Sequence, residues 1–364
     1  MGKIPSLKIG KLEARIPIIQ GGMSVGISLS TLAAAVANEG GIGVIGTAGI
    51  GMLEPDFNTN YLITNRRALT KEIKQAKKNT NGIIGVNILV ALSDCDELVQ
   101  VAIDEGVDLI FVGAGLPLKI PKTLPQDKLK KFFSMVVPII SSQRATKIIF
   151  QYWAKEYNDV PNAVVVEGPL AGGHLGFSKE HLDNPDYALD KILPEVIAEV
   201  KLFEKQFNKN ISVIAAGGIY TGADIHKFMN LGANGVQMAT RFVATNECDA
   251  SIKFKDSYVK CKKEDLIIID SPVGMPGRAI KNQFLEDVAN GIGKPFKCPW
   301  KCLKTCEFRK APYCIGLSLT NAKKGNIEEG FCFAGANAYR IDKIVSVKEL
   351  VKTLLEEYEE ASSK

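Results

Sequence analysis

The 364-residue sequence has only three histidines, and nowhere does an uninterrupted apolar stretch approach the roughly 20 residues that cross a bilayer. A membrane-spanning helix is therefore not expected, and no charged segment followed by an apolar one marks the N-terminus for export. Charge of one sign is lacking too: 45 Lys and Arg face 40 Asp and Glu, a formal net charge of +5 spread along the chain. The basic runs Lys71 to Lys78 and Lys128 to Lys131 have the spacing of solvated helix faces, so nucleic acid is not an expected partner. Eight cysteines are too few for a disulfide scaffold in a chain of this length. The expectation is a soluble, cytoplasmic protein acting on a small molecule. Met1-Gly2-Lys3-Ile4-Pro5-Ser6 matches the myristoylation pattern, but a pattern so short arises by chance.

What is present is alternation. Short β-branched apolar runs recur at Ile16 to Gln20, Ile42 to Ile45, Ile83 to Leu89, Leu109 to Val112, Val136 to Ile140, Ala163 to Glu167, Ser212 to Ala215 and Gly235 to Met238. Amphipathic stretches lie between them, such as Ser30 to Asn38, Arg66 to Lys77, Glu97 to Glu105, Ala145 to Tyr157, Leu189 to Phe207 and Ala223 to Leu231. Repeated βα units imply a parallel sheet, and eight strands close a (β/α)8 TIM barrel. A doubly wound open sheet shares this alternation. Motif placement favours the barrel, whose active site gathers at the C-terminal ends of all the strands. Here glycine-rich or polar residues follow nearly every run, from Gln20-Gly21-Gly22-Met23 after the first to Ala239-Thr240 after the eighth. The expected division is a barrel over residues 1–244 and a smaller cap or second domain over 245–364, which holds the turn-rich Pro272 to Gly277 and ends in a helix from Val347 to Ala361.

Three groups of residues carry chemistry. Gly217-Gly218 follow the seventh strand, and Gly235-Val236-Gln237-Met238-Ala239-Thr240-Arg241 span the eighth; in order and spacing they match a phosphate site built by the last two loops of a barrel. No G-x-G-x-x-G dinucleotide fingerprint follows a strand. Of the three histidines, His226 falls inside a helix and His181 in an Asp-rich polar loop. His174 differs: it ends Ala171-Gly172-Gly173-His174 just past the sixth strand, where small residues let a flat ligand reach the backbone and an imidazole can act as base or anion-binding donor. The third group is Cys298, Cys302, Cys306 and Cys314, spaced C-x3-C-x3-C-x7-C. Clustered thiolates suit zinc or an iron–sulfur cluster, while near Trp300, Phe308 and Tyr313 the same residues suit a buried core.

Pro17 to Met23, Gly85-Val86-Asn87, Gly168 to Gly176, and Ala215 to Ile219 with Gln237 to Phe242 together resemble the motifs of the nitronate monooxygenase family and its relatives, the flavin-dependent enoyl-acyl-carrier-protein reductases. The resemblance spans most of residues 10 to 245. It implies non-covalent FMN at the barrel mouth, with Gln20 and Gly21 among the cofactor-binding residues, Gly22 and Met23 along the flavin ring, and Asn87 and Glu167 at its polar edges or ribityl chain. Ala171, Gly172, Gly173, Gly217, Gly218, Gln237, Met238, Ala239 and Thr240 would complete the cofactor site, largely around the phosphate, and His174 would face the substrate. It implies an oxidoreductase that converts an alkyl nitronate to a carbonyl compound and nitrite. The alternative is NAD(P)H-driven reduction of an enoyl thioester, and a third reading, of another class, is a flavin and cysteine redox sensor. Leu170, where relatives often carry an acidic residue, and Ala239, where they carry glycine, depart from the pattern.

Overall fold

A computed structural model describes residues 4–119, 124 and 126–364. Met1 to Lys3 of the myristoylation-like start lie outside them. The chain opens with a hairpin of β1 (Leu7–Ile9) and β2 (Leu12–Ala14), then enters the barrel through β3 (Ile18–Gln20), α1 (Ser30–Asn38), β4 (Ile42–Gly46), α2 (Phe57–Asn79), β5 (Ile83–Leu89) and α3 (Cys95–Asp104). It continues through β6 (Leu109–Gly113), α4 (Gln126–Met135), β7 (Val136–Ile140), α5 (Gln143–Tyr157) and β8 (Ala163–Glu167). After β9 (Gly173–His174), outside the ring, come α6 (Leu189–Phe207), β10 (Ser212–Ala216), α7 (Gly222–Asn230) and β11 (Gly235–Met238). β3 to β8, β10 and β11 form a closed parallel barrel. The open doubly wound sheet is thereby excluded.

The strands read as continuous apolar runs because both of their faces are buried. Inward, Ile19, Val44, Phe111, Val137, Val165 and Ile214 form one cluster, which the hairpin residues Leu7, Ile9 and Ala14 join. Outward, Ile18, Val86, Ile110, Val164 and Val236 pack in the larger cluster shared with the helices. Local signals set the helix starts: Ser142 caps α5 by accepting from the Ala145 amide, and Thr221 and Asp224 form a capping box on α7. Lys71 and Lys74 of α2 are exposed, as expected of a solvated face. The helix α4 contains the basic run Lys128 to Lys131, read from the sequence as a helix face, and runs without a break into β7.

Residues 245–364 pack on the barrel at several points. A short α8 (Thr240–Val243) and α9 (Ile252–Val259) lead to a hairpin of β12 (Leu266–Asp270) and β13 (Pro276–Ile280). Then follow α10 (Gln283–Ala289), α11 (Ile315–Lys324) and α12 (Val347–Ser362). β13 pairs antiparallel with β9, so the second region adds its sheet directly onto the His174 loop. α12 returns to the barrel and packs on α7 and α1, which places it in the ring position after β11. Its Glu357 carboxylate accepts from the Gly222 amide at 2.7 Å, and a Cβ at Gly222 would stand 2.1 Å from the Leu354 carbonyl. No helix among the described residues is long and apolar enough to cross a membrane.

Candidate active site

A cavity of about 570 Å³ opens at the C-terminal ends of the barrel strands. On one side lie the loops after β10 and β11. Gly217 and Gly218 adopt φ of +90° and +89°, a left-handed conformation that favours glycine. A Cβ on Gly217 would also lie 2.7 Å from the Gly168 carbonyl oxygen. The amide N–H groups of Gly217, Gly218 and Ala239 have no protein acceptor among the described residues, which leaves them free for an anion. Ala239 sits at φ −122°, outside the left-handed region that favours glycine. The second region clamps this side: Asn337 Nδ2 donates to Gly218 O at 2.7 Å and the Gly335 amide to Thr240 Oγ1 at 3.1 Å.

The floor is built from the first, third, sixth and eighth barrel strands. Gly21, Gly22, Met23, Asn87, Glu167, Gln237 and Met238 all line the cavity. At Gly22 a Cβ would come 2.4 Å from the Asn87 Cβ, so the glycine makes room for that side chain. The side chains of Asn87, Glu167 and Gln237 have no hydrogen-bond partner within the protein among the described residues, and each faces the cavity. Burial alone pushes the Glu167 carboxyl up to about 7. Gln20 behaves otherwise. It is fully buried, its Oε1 accepts from the Val44 amide at 3.1 Å and its Nε2 donates to Gly21 O at 2.5 Å, so the backbone consumes the amide and Gln20 does not reach the cavity.

Opposite the floor stands His174. Ala171, Gly172 and Gly173 line the same wall, and at Gly172 a Cβ would meet the Ala334 backbone at 2.5 Å. The imidazole Nε2 lies 2.7 Å from Ser271 Oγ, and its ring meets Phe333 edge-on at 5.0 Å between centroids. Burial pushes the imidazole down to about 4, so it is neutral at physiological pH. Nδ1 has no protein partner among the described residues. His181 stacks on Tyr187 at 3.9 Å, and His226 lies on α7 edge-on to Tyr358; neither lines the cavity. Ser271, Arg278 and Phe333 were not among the expected site residues. The turn at Pro272 to Gly277 was visible in the sequence, but nothing local indicated that it folds onto His174.

The far wall is apolar: Met52, Leu92, Leu303, Ile315 and Leu319 line it, with Cys302 among them. The segment carrying Cys302 docks on the loop after β5, with the Ser93 amide donating to Cys302 O at 3.0 Å and the Lys304 amide to Ala91 O at 2.9 Å. Burial and the neighbouring Cys314, Cys298 and Cys306 push the Cys302 thiol up to about 12. The four cysteines thus gather. Among the described residues, however, no group of three or more His, Cys, Asp or Glu is placed to hold a metal ion. No zinc or iron–sulfur site is thus shown at Cys298, Cys302, Cys306 and Cys314 among the described residues. Instead, Cys298, Cys302 and Cys314 pack with Met52, Tyr61 and Trp300 as small apolar groups.

Residues 5–357 match a family model described as nitronate monooxygenase. A probable nitronate monooxygenase of Staphylococcus aureus strain Newman is 28% identical over 330 residues, which cover 84% of this chain and 86% of that one. An octahydroindene carboxyl-CoA dehydrogenase of Mycobacterium tuberculosis is 24% identical over 93% of this chain and 92% of its own. Among solved structures, FabK from Thermotoga maritima aligns with a TM-score of 0.72 and 30% identity, over 95% of this chain and 94% of that one. A nitroalkane oxidase from Streptomyces ansochromogenes, at 21% identity and a TM-score of 0.73 over 96% and 97%, shares the fold.

Proposed function

The chain belongs to the nitronate monooxygenase family, and on that premise we propose that it is an FMN-dependent oxidoreductase converting alkyl nitronates to a carbonyl compound and nitrite, with oxygen as the oxidant. One observation carries the reading: acceptor-free amides at Gly217, Gly218 and Ala239, the partnerless Asn87, Glu167 and Gln237, and His174 all open into one cavity. The residues fit FMN. The amides and Thr240 would hold its phosphate, Gly22 and Met23 would flank its ring, and Asn87, Glu167 and Gln237 would meet its polar atoms. When bound, FMN supplies the redox chemistry. The chain supplies the rest. His174, neutral and presented from β9, offers Nδ1 to the charged end of the substrate, while Ser271 engages Nε2 and holds the ring in orientation. Phe333 and Met275 present apolar surface to that end.

A second reading, NAD(P)H-driven reduction of an enoyl thioester, is favoured by the apolar far wall at Met52, Ile315 and Leu319, which suits an acyl chain. The deciding experiment is anaerobic bleaching of the yellow protein. Propyl-2-nitronate should bleach it and nitrite should follow on admitting air; bleaching by NADH or NADPH alone would transfer the assignment to the reductase reading. Mass spectrometry of the chromophore released on denaturation should find FMN, and FAD or no flavin would overturn both.

A further inference from the structure

Arg278 is 6% exposed and does not line the cavity. One nitrogen of its guanidinium, Nη1, donates to Pro169 O at 2.7 Å and to Ala171 O at 2.6 Å. Burial opposes its charge and the Asp183 carboxylate favours it; charge-assisted bonds to the two carbonyls offset part of the cost of burial. The loop that receives them needs bracing. It ends in Gly172 and Gly173, Gly173 has φ +78° with nothing within 4 Å of its missing Cβ, and His174 comes next. Without a cross-tie, rotation at these glycines would swing the imidazole.

Resting on the reading of His174 above, we propose that Arg278 is a positioning residue for His174: it locks the 168–172 turn from behind and thereby fixes where the imidazole meets substrate. The backbone repeats the same tie. Arg278 is registered against Gly173 and Gly277 against His174, the Leu175 amide donates to Pro276 O at 2.9 Å, and the Ala334 amide donates to Arg278 O at 3.0 Å. Ser271, which holds Nε2, belongs to the same hairpin connection. Both the ring's partner and the loop's brace thus come from residues 266–280, far from the barrel motif in sequence.

The test compares Arg278→Met with Arg278→Lys in the protein as purified, with flavin occupancy and melting measured alongside. A misplacement of about 1 Å costs on the order of a hundredfold in rate, so Arg278→Met should lower kcat by roughly 10- to 100-fold while KM and flavin occupancy stay within about threefold. Arg278→Lys, whose ammonium can still donate to both carbonyls, should recover most of the loss. With three histidines in the chain, ¹⁵N-histidine NMR reads His174 without any substrate: its ring signals should shift or broaden in Arg278→Met while those of His181 and His226 stay in place. A kcat within about twofold of the parent, or a rate loss with unmoved His174 signals, overturns the proposal. If Arg278→Met does not fold, Arg278→Gln, which keeps an amide donor, carries the same test. If neither propyl-2-nitronate nor NAD(P)H bleaches the flavin, the assigned reaction fails, and the NMR comparison still decides the role of Arg278.

Discussion

The two walls of the cavity are made differently. The wall formed by the loops after β8, β10 and β11 works through its backbone: free amides, left-handed glycines and a histidine that follows them. The far wall, from Met52 and Leu92 to Cys302 and Leu319, works through side chains that meet from four distant stretches of chain. A backbone site constrains consecutive residues, so it leaves a motif; a packed wall constrains only size and polarity at scattered positions, and many sequences satisfy it. Chemistry should therefore be concentrated on the first wall and tolerance on the second.

The largest test of that contrast is His174→Ala. Loss of a positioned acid, base or donor should lower turnover by roughly 10² to 10⁴-fold with flavin still bound, measured as the anaerobic rate of flavin reduction. Because burial holds the imidazole near 4, its protonation should depress the rate only as pH falls toward that value, and the profile should be free of a histidine limb between pH 5.5 and 8. Next comes Gly217→Ala, which forces a side chain into φ +90° and against the Gly168 carbonyl. Strain of about 1–3 kcal/mol at the cradle should weaken flavin retention by roughly tenfold or more, read by titrating stripped protein with FMN. The smallest effect belongs to the far wall: the Cys302→Ser and Cys306→Ser double variant should change the rate by less than about twofold and stability by about 1 kcal/mol or less. Zinc and iron analysis of protein prepared without air checks the same point. Stoichiometric metal in the parent that disappears in the variant would turn the packed wall into a ligand set and break the contrast.

The sequence made the barrel legible because fully buried strands leave apolar runs and amphipathic helices leave a 3.6-residue period. Ile83–Leu89, Val136–Ile140 and Ala163–Glu167 match their expected bounds to the residue. Among the described residues thirteen glycines adopt positive φ, including Gly217 and Gly218, where the expected phosphate loops lie. Gln20 misled because a polar residue at a strand end looks available, whereas here it bonds to its own and the neighbouring strand. Ser271, Arg278 and Phe333 could not be found locally, since their relation to His174 depends on a strand pairing about a hundred residues away in sequence. The cysteine spacing suggested ligands, but spacing does not say whether sulfurs turn toward a common point or into a core.

The position of α12 has a consequence for how the chain is made. All eight barrel strands precede it in sequence, and the helix that covers the seam between α7 and α1 comes after the whole inserted region. A polypeptide leaving the ribosome presents strands β3 to β11 first, with the apolar flank that Leu350, Val351 and Leu354 later cover still bare. Until residues 347–362 emerge, the closed strand ring carries one exposed apolar stripe, the kind of surface that chaperones bind. The helix that covers this stripe is thus made only after the hairpin that holds His174.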